Sequence, residues 1–274
     1  MLTRRDVVAL LEAHDLAPSR ALGQNFVVDP NTVRKVVDLA RVGPGDPVVE
    51  IGAGLGSLTL ALADAGADVT AIEIDRHLVP VLREVVGTRA RVVEGDARTL
   101  DWVRLLSGHA RWSLVANLPY NIATPLVADL LDDVPAIHTM LVMVQREAAE
   151  RLAAGPGSKT YGIPSVKVAY WATAQVVAKV SPSVFLPRPN VESALIRIVR
   201  RPAPAVSADP DRLFSLVRAG FGQRRKMLRR SLAGLVDTAA FAGADVAPES
   251  RAEDLDIDAW GRLAAWSTPP PQHL

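Results

Sequence analysis

Asn117-Leu118-Pro119-Tyr120 follows the apolar stretch Trp112-Ser113-Leu114-Val115-Ala116, whose length and composition predict a buried strand. A strand that ends in an amide, a proline turn and an aromatic ring offers three things at one point: an acceptor, a fixed backbone carbonyl and a flat stacking surface. Those suit a planar base that carries an exocyclic amino group. The Asn117 side-chain oxygen and the Leu118 carbonyl would accept the amino hydrogens, with Pro119 holding the turn. Tyr120 would stack on one face of the base. Phe185, in the proline-rich run 181–189, would cover the other. Taken singly, Tyr120 reads as a turn residue on the sheet and Phe185 as loop-to-core packing.

A second constellation lies upstream. Glu50-Ile51-Gly52-Ala53-Gly54-Leu55-Gly56 joins a short strand to a helix that starts at Ser57. Glycines permit a tight turn and let a ligand approach the backbone beside the positive amino end of the helix. A dinucleotide fingerprint has glycine at its first, third and sixth positions. Here the sixth is Ser57 and the glycine falls at the fifth, which favours a ligand without pyrophosphate, such as S-adenosylmethionine. Glu73 ends the next strand, where a carboxylate can accept both ribose hydroxyls. Asp96, in Glu94-Gly95-Asp96-Ala97, follows the third strand and would accept from the adenine amino group of the cofactor. Each acid alone reads as a solvated strand end or a helix cap. Their recurrence at successive strand ends carries the functional reading, because parallel sheets bind ligands there. The two constellations together predict an enzyme that methylates the amino nitrogen of adenine.

The elements that must position these residues alternate along the chain. Helices are expected over 4–14 and 31–41, then a strand at 47–51, a helix at 57–65, a strand at 68–74 and a helix at 76–86. Strands at 91–94 and 112–116, a helix at 124–131, a strand at 139–144 and a helix at 146–154 continue the pattern. Such alternation with short turns predicts an α/β fold with a mostly parallel sheet covered on both faces. Gly155-Pro156-Gly157-Ser158 reads as a mobile loop, and 176–180 and 194–199 as further strands. After the linker at 201–205 the chain reads as helical over 212–221, 224–235 and 257–266, with a disordered Pro269-Pro270-Pro271 tail. The boundary is placed near 201, giving a domain over 1–200 and a helical domain over 201–274.

The bulk numbers fit this organisation. The chain has 274 residues, 49% hydrophobic and 22% charged, enough for one large domain and a smaller one. It has no cysteine, which removes disulfides, thiolate metal sites and thiol catalysis. The amino terminus lacks the apolar core of a secretory signal, and no uncharged run approaches the roughly 20 residues of a membrane span. A cytoplasmic protein without a membrane partner is expected. The net charge of +1 provides no global field for a polyanion, so a nucleic-acid footprint must be local. Arg218, Arg224, Arg225, Lys226, Arg229 and Arg230 form a run without an intervening acid. On a helix, four of them (225, 226, 229 and 230) would share one broad face and make RNA binding salt-dependent. The plainer reading is a solvated arginine face.

Several further segments, spread over nearly the whole chain, carry a resemblance. They include Leu22-Gly23-Gln24-Asn25-Phe26, Ile72-Glu73-Ile74-Asp75, Asn117-Leu118-Pro119-Tyr120-Asn121-Ile122, Pro187-Arg188-Pro189-Asn190-Val191-Glu192-Ser193 and Phe221-Gly222-Gln223-Arg224-Arg225-Lys226. In order and number they resemble the bacterial small-subunit ribosomal RNA adenine dimethyltransferases. The resemblance implies a class I methyltransferase fold (a Rossmann-like seven-stranded sheet) with a small helical carboxyl-terminal domain. It implies dimethylation at N6 of two neighbouring adenosines in the hairpin near the 3′ end of 16S rRNA, within the 30S subunit. By the same pattern Gln24, Asn25 and Val27 would line the methionine side of the S-adenosylmethionine pocket. Gly52, Gly54, Gly56, Glu73, Asp96 and Ala97 would hold the remainder, and Asn117 would sit between cofactor and substrate. Ala53 stands where the family often has proline, and Gly222 where asparagine is common. A monomer is expected. Three other readings compete: a 23S rRNA adenine N6-methyltransferase conferring antibiotic resistance, a ribosome-assembly factor acting by binding, and a nicotinamide oxidoreductase on a similar sheet.

Overall fold

In a computed structural model that describes residues 1–266, the chain opens with α1 (Arg4–Ala13). Thr3 and Asp6 cap it reciprocally: the Asp6 amide donates to the Thr3 hydroxyl and the Thr3 amide to the Asp6 carboxylate. Two donors that the first turn leaves open are thereby satisfied. β1 (Phe26–Val27) leads to α2 (Pro30–Ala40), which is capped by Asp29 and carries Pro30 in its first turn.

Strict alternation follows. The elements are β2 (Pro47–Ile51), α3 (Ser57–Asp64), β3 (Asp68–Glu73), α4 (Leu78–Val86), β4 (Arg91–Glu94) and α5 (Trp102–Leu105). Then come β5 (Trp112–Asn117), α6 (Ala123–Asp133), β6 (Ile137–Gln145), α7 (Arg146–Leu152) and α8 (Ile163–Trp171). β7 (Ala172–Val180), β8 (Phe185–Leu186) and β9 (Ser193–Arg200) close the strand set. The helices α9 (Pro210–Gly222), α10 (Leu228–Ser231), α11 (Thr238–Gly243) and α12 (Ile257–Trp266) complete the described chain. No helix among the described residues is long and apolar enough to cross a membrane.

Seven strands form one sheet in the order β4-β3-β2-β5-β6-β9-β7. β2 to β6 pair in parallel, and β9 runs antiparallel to β6. The expected α/β architecture with a mostly parallel sheet is what forms. Val48, Val49, Leu114 and Ala116 are almost fully buried, as strands covered on both faces must be. β2 has β3 on one side and β5 on the other, so the winding reverses at its carboxyl end. Open α/β sheets bind their ligands in the crevice at such a reversal. β1 and β8 make a separate antiparallel ribbon, with Val27 opposite Phe185.

The chain divides into two units: Met1–Ala149 with Ala174–Arg200, and Glu150–Thr173 with the residues from Arg201 onward. The sequence places 150–173 in the first domain; the second unit takes it in. The reason is packing: Tyr161, Val166 and Tyr170 share a core with Leu213, Phe214 and Trp260. The Tyr161 hydroxyl donates to the Leu255 carbonyl at 2.9 Å within that core.

The helix expected over 224–235 does not form as such. Residues 224–227 are turn, bend and irregular backbone, and α10 spans only four residues. The first amides of α10 go elsewhere: Leu228 donates to the Ser250 carbonyl and Arg229 to the Pro248 carbonyl. Tertiary partners thus replace the helical ladder, and the shared helical face of residues 225, 226, 229 and 230 is not present. The proline run at 269–271 lies outside the described residues.

Candidate active site

The turn after β2 is hooked onto β3: the Gly52 and Ala53 amides both donate to the Ile72 carbonyl, at 2.9 and 3.1 Å. Gly52, Gly54 and Gly56 all have positive φ, a region that residues with a Cβ rarely adopt. At Gly54 an added Cβ would also stand 3.0 Å from the Phe26 ring. This turn leads into the amino end of α3, as a ligand-binding strand-to-helix crossing requires.

Glu73 ends β3 with its carboxylate turned under the turn. Its Oε2 accepts from the Gly54 amide at 2.7 Å and its Oε1 from the Asp75 amide at 2.9 Å. Burial pushes this carboxyl above the usual carboxylate range, while the backbone donors pull it back. Each oxygen keeps a further acceptor site, which is what two vicinal hydroxyls need. Beneath it lies Glu50, 2% exposed, which accepts from the Thr59 hydroxyl at 2.6 Å. Desolvation raises Glu50 to about 8, so at neutral pH this carboxyl is mostly protonated.

Asn117 sits at the tip of β5. Its Nδ2 donates to the Asn25 carbonyl at 2.8 Å, which leaves Oδ1 as an acceptor. The adjoining Leu118 amide donates to the Met143 carbonyl of β6. The Pro119 carbonyl accepts from Ile122 and Ala123, so the turn runs directly into α6. Tyr120 is half-buried, its hydroxyl 2.6 Å from that of Ser193 on β9. Burial raises its phenol above the ordinary value.

These groups surround one cleft that is open to solvent. The predicted residues Asn25, Val27, Gly52, Gly54 and Glu73 line it, together with the whole Asn117–Tyr120 turn. Gln24 also lines it, but its amide is committed at both ends. Its Oε1 accepts from the Ser19 amide and its Nε2 donates to Asp75, so it braces the wall.

Four predicted residues fall outside the lining. Gly56 faces α4, where an added Cβ would stand 2.9 Å from Leu82, so this glycine serves packing. Asp96 lies beyond β4, its carboxylate clamped by the Arg98 guanidinium at 2.6 Å and held well below the usual carboxylate range by it. The Ala97 carbonyl accepts from the Trp102 indole. Phe185 is the clear correction. It is fully buried in a core with Val33, Val36 and Leu195, because its place on β8 turns it into the sheet and not toward the cleft.

Sequence reasoning missed Ile74 and Val7. Ile74 is 44% exposed yet lines the cleft directly after Glu73, an apolar face for a flat ring. The signal was an exposed aliphatic residue next to a strand-end acid. Val7 comes from α1, whose docking through the Leu2 amide on Ser57 no local pattern announces.

In the second unit, Arg224 is a structural residue. Its Nε donates to Glu253 at 2.6 Å and its NH2 to the Lys159 carbonyl at 2.8 Å. Arg229 pairs loosely with Glu249 at 3.5 Å. Arg218, Arg225, Lys226 and Arg230 are exposed and, among the described residues, have no side-chain hydrogen bond or ion pair. Gly222 has open space around the position of a Cβ and no positive φ, so nothing there demands glycine.

Residues 18–268 match a family described as ribosomal RNA adenine dimethylase. The chain is 47% identical over 277 residues to ribosomal RNA small subunit methyltransferase A of Streptomyces coelicolor, covering 96% of each chain. It is 46% identical to the protein of that name from Kineococcus radiotolerans, over 97% of this chain and 91% of the other. Among solved structures, it resembles the 23S rRNA methyltransferase ErmE at 28% identity, with a TM-score of 0.68 over 88% of this chain and 98% of that one. A dimethyladenosine transferase from Plasmodium falciparum shares the fold, with a TM-score of 0.70 at 24% identity over 86% and 94% of the two chains.

Proposed function

The chain belongs to the ribosomal RNA adenine dimethylase family, and from that premise we propose that it dimethylates N6 of two adjacent adenosines in the 3′-terminal hairpin of 16S rRNA. It does so in the cytoplasm, as a monomer, on the 30S subunit. The observation that carries this reading is the Asn117–Tyr120 turn, whose acceptor and aromatic ring share one cleft with the glycine turn and Glu73. Curated relatives at 43–47% identity over nearly the full chain are named for the small subunit. The 23S reading rests on the likeness to ErmE at 28% identity, and the nicotinamide reading does not fit a family described as ribosomal RNA adenine dimethylase.

The residues of the cleft fit S-adenosylmethionine. Glycines with positive φ open the backbone, Glu73 offers two acceptors for ribose hydroxyls, and Ile74 gives the adenine a face. When bound, that cofactor supplies a sulfonium methyl already activated for transfer. The rest of the chemistry is positioning. Adenine N6 is a poor nucleophile because its lone pair is delocalised into the ring. The Asn117 Oδ1 and the Leu118 carbonyl accept the N6 hydrogens, which draws the nitrogen toward the pyramidal geometry of attack. Held in line, the reacting atoms gain up to roughly 7–11 kcal/mol over free encounter. The proton leaves N6 after methyl transfer, so an amide suffices at 117 and a strong base is not required. Tyr120 stacks on the unstacked base, which returns about 1–3 kcal/mol of the cost of extruding it. Arg218, Arg225, Lys226 and Arg230 neutralise phosphates of the RNA.

The test is incorporation of labelled methyl groups into purified 30S and 50S particles. Label in N6,N6-dimethyladenosine of the 16S 3′ hairpin is expected. Label confined to 23S rRNA would replace this reading with the resistance-type activity.

A further inference from the structure

Tyr120 is held by a strand that does not neighbour its own. β5 pairs with β6 through Asn117 and Met143, and β6 pairs with β9 through Gln145 and Ser193. Past the end of β5, the Tyr120 hydroxyl reaches over β6 to the Ser193 hydroxyl, 2.6 Å away, where either oxygen can donate. Ser193 is fully buried. It is also rigidly mounted at the start of β9. The neighbouring Glu192 accepts from the Arg146 amide at 2.9 Å through its carbonyl, and its carboxylate pairs with the Arg146 guanidinium.

This geometry constrains a ring and not only a fold. The tyrosine oxygen lies on the axis of its second torsion, so fixing it while the backbone is held by the Pro119 turn fixes the first torsion and with it where the ring stands. The ring so fixed lines the cleft beside Asn117 and Pro119. Stacking needs only a ring face, but methyl transfer needs the base in one place, with the reacting atoms about 3–3.5 Å apart.

We propose that Ser193 is a positioning residue: through its hydroxyl it fixes where the Tyr120 ring stands in the cleft and hence the place of the stacked adenine. This rests on the reading of Tyr120 as the stacking surface. Loss of the contact therefore slows turnover and leaves binding of cofactor and particle nearly unchanged.

The experiment compares Ser193→Ala, Tyr120→Phe, their double variant and Tyr120→Ala on 30S particles. It reads the single-turnover rate, the S-adenosylmethionine Kd and the KM for particles. Ser193→Ala and Tyr120→Phe should each slow transfer roughly tenfold, the worth of one hydrogen bond. The double variant should be no slower than either, since both remove the same contact. Cofactor Kd should stay at the wild-type value throughout. Losses that multiply in the double variant, or a wild-type rate for Ser193→Ala beside a slow Tyr120→Ala, would overturn the role of Ser193 and leave the stacking reading intact. A wild-type rate for Tyr120→Ala would overturn both. Should Ser193→Ala fail to fold, Tyr120→Phe decides alone, because it keeps the ring and loses only the hydroxyl; a wild-type rate there overturns the inference.

Discussion

At the scale of single residues, the site is a set of acceptors whose donors are already half assigned. Asn117 spends its amide hydrogen on the Asn25 carbonyl, so its oxygen is aimed by the wall of the cleft and not by solvent. Glu73 holds the glycine turn and offers its remaining acceptor sites at the same time. Glu73→Gln places an NH2 where a backbone amide now donates, and removes the charge. Cofactor Kd measured by calorimetry should rise about ten- to a hundredfold, the range for a hydrogen bond to a charged group, while particle binding stays near wild type. Glu50 adds a pH signature. Its folded value of about 8 lies above the unbound 4.5, so between those two pH values the native state keeps a proton that the unfolded chain has lost. Stability is therefore full below that window, falls as pH rises through it by up to ~1.4 kcal/mol per unit, and flattens above. Glu73 is shifted in the same direction and adds to the trend. Glu50→Gln, neutral at every pH, removes the Glu50 share. The unfolding free energy of the variant minus that of wild type should rise across the window, and parallel curves would contradict the assignment.

At the scale of elements, what the sequence made legible were the strands and helices with a clean period. β2, β4 and α12 begin and end where alternation and composition place them, and the Asn117–Tyr120 turn stands at a strand tip as expected. What stayed hidden was decided by partners distant in the chain. α8, rich in β-branched and aromatic residues and with Pro164 in its first turn, has buried residues on several faces and so shows no apolar stripe. α10 starts only at Leu228, where Ser250 and Pro248 take its first amides, and Gly234 with its positive φ stands just beyond its end. The ribbon of β1 and β8, two residues a side, is too brief for any periodicity, yet it decides which way Phe185 points. That placement predicts a structural outcome for Phe185→Ala. A fully buried phenylalanine truncated to alanine costs about 3–5 kcal/mol of stability. A drop in Tm should precede any specific loss of turnover, and Phe185→Leu should restore both. A Phe185→Ala protein with wild-type Tm and impaired base binding would return this ring to the cleft.

At the scale of the whole molecule, charge decides how RNA is met. The net charge of +1 gives no long-range pull, so affinity must come from a local group of cations. The sequence showed that group as one helical run; the structure separates it into Arg224, spent on Glu253, and exposed cations that remain available. Arg225→Ala, Lys226→Ala and Arg230→Ala should each lower the slope of log affinity against log salt by about one. Arg224→Ala should instead lower the Tm with little change in slope. The sheet order and its reversal at β2 place the glycine turn and the β5 tip at one crevice, and the entire account depends on that juxtaposition. The most direct test is the single-turnover rate of Asn117→Ala with saturating S-adenosylmethionine and saturating 30S particles. The account predicts at least about a hundredfold slower transfer with cofactor Kd unchanged, as for loss of one group that aligns the reacting atoms. A rate within a factor of about two of wild type would contradict it, because that is well under the loss of one net hydrogen bond.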